Sequence, residues 1–300
     1  METKLSIDAH TIRRYHDQDA LAFVDLVLGS PDAWSRSLVA YRLTSDSEAN
    51  WKMEVGCWLL LARDLGFLEA LKVKLKRALK RAKKPSGDGP NDKAHLVLNQ
   101  ELAAAMAVYY FTAFGWRFDA WEPPRPNDDF DVDVRLAAPD GRLVDIQVKA
   151  PDQPGHVTNG GRVGDGEYDA RVLAATNHAL GQLKASPGPC RLVVISPQRM
   201  YCIGAETLRR HLVGFATSTD DGRSMVVDTP GLFAGANCTG ISAVADLHLY
   251  RVGDVLYRCT VLLNPWCVES AALPVTAFPY SRVLSPSQYN LVWVPESPSR

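Results

Sequence analysis

From Asp19 to Lys84 the apolar residues return at helical spacing, and Leu68, Leu71, Leu75, Leu79 and Ala82 make one stripe of the last segment. This pattern predicts a helical N-terminal region over residues 1–90. The breaker-rich run 84–93, Lys-Pro-Ser-Gly-Asp-Gly-Pro-Asn-Asp-Lys, predicts the boundary that ends it. Beyond it a helix is expected over His95–Phe114, then an aromatic strand around Trp116–Trp121 and a Pro-rich loop at 123–126.

The period then changes from helical to alternating. Phe130–Leu136 and Leu143–Lys149 each read apolar, polar, apolar, and Pro139-Asp-Gly141 between them supplies turn residues, so the pair predicts a β-hairpin. A Gly-rich polar loop follows, containing His156–Gly166. A helix is expected over Tyr168–Lys184 and a buried strand over Arg191–Ser196, an order that implies a parallel crossover. A helix over Ala205–Phe215 and strands at Met225–Val227, Ile241–Tyr250 and Val255–Leu263 complete the reading, before a Ser/Pro-rich tail. The expected fold class is mixed α/β: a core over 91–216 with a mixed sheet flanked by helices, and a β-rich C-terminal extension over 217–300.

Composition narrows the function without naming it. With 46% hydrophobic and 22% charged residues the chain is built to fold. Its longest uncharged apolar stretch, Leu102–Trp116, falls short of the about 20 residues that cross a bilayer, and the N-terminus carries no secretory pattern, so a cytoplasmic protein is expected. Six cysteines show no zinc-binding spacing and read as buried free thiols. A net charge of −1 leaves nucleic-acid binding to local patches. One patch is predicted: Lys72, Lys76, Arg77, Lys80, Lys83 and Lys84 share the polar face of the 68–84 helix, either as a phosphate-binding surface or as an ordinary solvated face.

The hairpin carries the chemistry. Residues two apart in a strand share a face, so Asp131 and Asp133 project together, as do Asp145, Gln147 and Lys149, with Val144, Ile146 and Val148 behind them. Carboxylates brought together repel unless a cation separates them, and hard oxygen donors suit Mg²⁺ or Mn²⁺. Such an ion, with Lys149 to orient the attacking water or neutralise charge on phosphorus, suits hydrolysis of a phosphodiester.

An acid on one hairpin strand followed by (Asp/Glu/Gln)-x-Lys on the next resembles the PD-(D/E)xK nuclease superfamily. The Gln form seen here, Asp133…Gln147-Val148-Lys149, is similar to the Mrr-type restriction endonucleases. The resemblance covers Asn99 to Pro197 and implies a restriction-endonuclease-like core. It assigns Asp133 as the motif acid, Gln147 as the central ligand, Lys149 as the motif lysine and the Val148 carbonyl as a further metal ligand. Asp131 competes with Asp133 for the acid's place, and hairpin register decides between them, with Asp133 favoured. Many members carry a glutamate on the preceding helix. Glu101 fits that place, while a residue so early in its helix also serves simply to favour the helix dipole.

Gln182 on the helix after the hairpin is a further candidate for substrate phosphates, together with Lys76, Lys80 and Lys83. There is no Gly-x-Ser-x-Gly elbow, no Walker A sequence, no His-Glu-x-x-His and no dinucleotide fingerprint. The expectation is a divalent-metal-dependent DNA nuclease in restriction or anti-phage defence, with DNA as partner and a homodimer or larger defence complex as its assembly. The alternative is a nuclease-fold protein without catalysis that binds nucleic acid or another protein, a reading favoured by the uncharged Gln147.

Overall fold

The computed structural model describes residues 7–29, 49–82, 92–124, 132–151, 165–183, 190–196, 205–218, 225–234, 238–252, 254–284 and 291–293. They divide into two compact units. One is largely helical and spans Asp8–Ala113 together with Arg251–Leu256; the other contains most of the sheet and takes in Met1–Ile7, Phe114–Tyr250 and Tyr257–Arg300.

The helical unit comprises α1 (Asp17–Leu28), α2 (Ala49–Asp64), α3 (Leu68–Ala82) and α4 (Asp92–Ala113). Helix α2 is buried on nearly every side from Met53 to Ala62, as expected of a helix with little polar face. It approaches α1 so closely that a Cβ on Gly56 would lie 2.1 Å from the Ala20 carbonyl oxygen. The one carboxylate in this stretch, Glu54, is wholly buried and is neutralised by Arg13 at 2.8 Å. Helix α3 keeps its Leu71/Leu75/Leu79 stripe inside and leaves Lys76, Arg77 and Lys80 exposed.

The sheet unit has strands β1 (Arg117–Trp121), β2 (Val134–Ala137), β3 (Leu143–Lys149), β4 (Cys190–Ile195), β5 (Gly214–Ser218), β6 (Met225–Pro230), β7 (Ala243–Val252), β8 (Asp254–Leu263), β9 (Arg282–Leu284) and β10 (Leu291–Trp293). The main sheet runs β10-β9-β8-β7-β4-β3-β2-β1, and β5 and β6 form a separate antiparallel pair. Strands β3, β4 and β7 are mutually parallel, whereas β1, β2 and β3 are antiparallel. The sheet is therefore mixed. Helices α5 (Asp165–Leu183) and α6 (Ala205–Leu212) lie in the same unit. Val172, Ala179, Leu180 and Leu183 of α5, with Leu208 and Leu212 of α6, share one core with Val193, Ile195 and Val244 of the sheet. Burying side chains of this size contributes about 1.5–3 kcal/mol each, which fixes α5 as the cover of the central parallel strands.

The helical unit reaches Ala113, past the 84–93 run, because α4 packs against α2 and α3. Strands of the C-terminal third extend the core sheet. The helix expected over Ala205–Phe215 stops at Leu212, because Gly214 takes a φ of +111° that a helix cannot continue through, and β5 begins there. Among the described residues, no helix is long and apolar enough to cross a membrane. Of the described cysteines, Cys57, Cys190, Cys238 and Cys259 are buried free thiols, while Cys267 is only partly buried.

Candidate functional site

The β2–β3 hairpin closes where its sequence places a turn. Gly141 adopts a φ of +88°, its N–H donates to the Ala138 carbonyl at 2.8 Å, and the Asp140 carboxylate accepts from the Arg142 N–H at 3.1 Å. From this turn the register runs Ala137↔Leu143, Leu136↔Val144, Arg135↔Asp145 and Val134↔Ile146. The next position brings Asp133 opposite Gln147.

Regular pairing of β2 stops at Val134, and Asp133 takes over the role of the missing ladder. Its N–H donates to the Ile146 carbonyl at 3.1 Å, and its own carbonyl accepts from the Glu122 N–H at 2.9 Å. The backbone is held from both sides, so the carboxylate is turned onto β3. There Oδ2 accepts from the Val148 N–H at 2.7 Å and from Gln147 Nε2 at 2.7 Å. A side-chain oxygen thus caps a strand N–H beyond the regular β2–β3 ladder.

Gln147 is 1% exposed. Its Nε2 faces a carboxylate, so the opposite amide orientation would set two oxygens against each other, and the orientation is fixed by the network. The consequence is that Oε1 is buried without a donor among the described residues. An unsatisfied buried acceptor costs about 1–3 kcal/mol. Lys149, two residues on, shares this face at the end of β3 and is partly exposed; its carbonyl accepts from the Ser196 N–H at 2.7 Å.

The alternation places Asp133, Asp145, Gln147 and Lys149 on one face, but that face is not open, because Asp145 and Gln147 are both buried. Asp145 is taken by its cross-strand neighbour Arg135, whose Nε lies 2.5 Å from Oδ1. The bond to Asp145 is the main reason the Arg135 guanidinium holds its proton more tightly than usual. Arg191, laterally adjacent on β4, feels the same carboxylate, although its own burial pulls its pKa down. Asp145 is therefore a structural ion pair rather than part of a carboxylate cluster. Arg135 was legible in the alternation beside Asp133; Glu122, held at a φ of +46°, left no signal in the sequence.

The other sequence candidates stand on other elements. Glu101 lies on α4 in the helical unit, where Lys74 Nζ approaches its carboxylate to 3.3 Å. Lys76 and Lys80 are exposed on α3 of that unit. Gln182 sits in the last turn of α5, partly buried. Asp131 and Lys83 lie outside the described residues, as does most of the His156–Gly166 loop.

The donors that remain together are the Asp133 carboxylate, the orphaned Gln147 Oε1 and the Val148 carbonyl, which leaves the strand on the same side as the N–H that reaches Asp133. All are oxygens, the donor type that a hard cation such as Mg²⁺ or Mn²⁺ takes while keeping several waters. Among the described residues no group of three or more His, Cys, Asp or Glu side chains gathers to hold a metal, so the fit rests on amide and backbone oxygen beside a single carboxylate. Compared with known proteins, the chain gives no significant match to a family model, a curated protein or a solved structure.

Proposed function

We propose that this protein is a divalent-metal-dependent nuclease that hydrolyses DNA phosphodiester bonds, serving restriction or anti-phage defence. The observation that carries the reading is the buried Gln147 Oε1, left without a donor beside the Asp133 carboxylate and followed by Lys149 on the same strand face. Supporting it is the order of elements around this pair, α4-β1-β2-β3-α5-β4, which is the order expected of a PD-(D/E)xK core.

In this reading Asp133, Gln147 and the Val148 carbonyl would hold Mg²⁺ or Mn²⁺, which would supply a nucleophilic water at neutral pH and charge neutralisation at the phosphoryl oxygens. Lys149, at the solvent edge of β3, would position that water or balance charge on the phosphorus. The exposed Lys76 and Lys80 offer phosphate contacts of their own.

The experiment is incubation of the full chain with supercoiled plasmid and Mg²⁺ or Mn²⁺, beside Asp133→Ala and Lys149→Ala, with folding checked by circular dichroism. Each variant is expected to lose about 100-fold or more of the cleavage rate. Undiminished cleavage in both overturns the assignment.

A second reading is favoured by a specific observation: Asp133 Oδ2 already has two donors, so this oxygen is satisfied without an ion. Under that reading the protein is a nuclease-fold scaffold that binds nucleic acid or a protein partner. Calorimetric titration with Mn²⁺ separates the two. Binding that disappears in Asp133→Ala supports the nuclease, and its absence in the native chain supports the scaffold.

A further inference from the structure

The face of the sheet that carries Gln147 can be followed strand by strand. Gln147 aligns with Val193, and Val193 with Val244. The Asn264 N–H donates to the Ser242 carbonyl at 2.9 Å, so counting inward from that pair sets Val244 opposite Leu262, Asp246 opposite Thr260 and His248 opposite Arg258. Leu262 aligns with Leu284, and Thr260 with Arg282. Val193, Val244, Leu262 and Leu284 all belong to one core, as a single row should.

One row further on the character changes. Lys149, Ile195, Asp246, Thr260 and Arg282 lie side by side, and His248 and Arg258 lie beyond them. Arg258 and Arg282 are diagonal neighbours on adjacent strands, their Cα atoms about 8 Å apart by strand spacing and rise. Both are partly buried. Among the described residues no carboxylate forms an ion pair with either. The carboxylate of this row, Asp246, is buried, and His248 Nε2 stands 2.6 Å from its Oδ1.

We propose that Arg258 and Arg282 form an oxyanion subsite that takes a phosphate group. Two guanidiniums side by side, neither ion-paired to a carboxylate among the described residues, repel one another, and a tetrahedral oxyanion between them relieves the repulsion with geometry that fits the guanidinium fork. In accord with this, burial and then the charge of Arg258 hold Arg282 below the usual arginine pKa. The subsite stands on the β8–β9 register and does not depend on hydrolysis at Asp133.

The test is titration of the full chain with inorganic phosphate at constant ionic strength, followed by calorimetry. Saturable binding is expected in the native chain and in Arg117→Gln, an exposed arginine of the edge strand β1. Arg258→Gln and Arg282→Gln are each expected to weaken it about tenfold or more, and Arg282→Lys, which keeps the charge without the fork, to fall between. Displacement of phosphate by a short oligothymidylate identifies a nucleic-acid phosphodiester as the source of the group, and no displacement identifies free phosphate. The proposal is overturned if phosphate fails to saturate by about 10 mM, if acetate competes as well as phosphate, or if both glutamine variants bind unchanged.

Discussion

Gln147 donates its amide to Asp133 across the β2–β3 hairpin at 2.7 Å, while its own oxygen remains buried without a donor. The pair is half satisfied: Asp133 Oδ2 has two donors and Gln147 Oε1 has none. That asymmetry makes Gln147→Glu informative. In metal-free buffer the substitution sets two carboxylates together, so one must take a proton or the hairpin end must shift, and a loss of about 1–3 kcal/mol is expected. Added Mn²⁺ is expected to restore most of it. Urea unfolding with chelator and with Mn²⁺ measures both, and a variant that Mn²⁺ leaves unimproved counts against a cation at this pair.

Asp145 depends on Arg135 in a different way. Removing the guanidinium takes its ion-pair partner from a wholly buried carboxylate and leaves Arg191 as the neighbouring charge, so Arg135→Gln is expected to cost about 1–3 kcal/mol. The double change Arg135→Gln with Asp145→Asn is expected to cost less than the sum of the two single changes, because the two side chains act as a pair. Chemical denaturation of the variants and a double-mutant cycle supply the comparison.

Two helical glycines should respond in opposite directions. Gly56→Ala puts a methyl group 2.1 Å from the Ala20 carbonyl oxygen and forces α1 from α2, at an expected cost of about 3 kcal/mol. Gly181 in α5 has nothing within 4 Å of an added Cβ, so Gly181→Ala is expected to stabilise by about 0.5–1 kcal/mol through helix propensity and a less flexible unfolded chain. Thermal unfolding of both variants provides the measurement.

His211, in the last turn of α6, has its pKa lowered by burial, and its Nε2 is buried without a partner. The unfolded chain therefore binds a proton more readily than the folded one between the lowered pKa and the ordinary value of about 6.5. Stability is expected to be full above about 6.5, to decline as pH falls through that window, and to level off below the folded pKa. His211→Asn should flatten this part of the profile, as read by denaturation midpoints from pH 7.5 downward.

Much of the hairpin was legible because its information is local. Strand β3 spans Leu143–Lys149, the limits the alternation predicts, and the facing of Asp133 and Gln147 follows from a period of two and a turn at Gly141. The burial of that face was not legible. It depends on β4 beside β3 and on α5 above them, contacts that link residues far apart in the chain. Asp145 reads as a site carboxylate in the sequence because alternation gives the face of a side chain but not the ion pair it makes there with Arg135. The row from Lys149 to Arg282 was invisible, since it exists only once the C-terminal strands have joined the sheet.

Strand β1 closes one end of the sheet, and its pairing with β2 slips between Phe118 and Ala120, with Arg117 and Asp119 exposed. An outermost strand is a template on which a further chain can add itself. Here charged side chains and a local kink spoil the template. Among the described residues the hydrogen-bonding array stops at this border, and a second copy of the protein gains little by trying to prolong it.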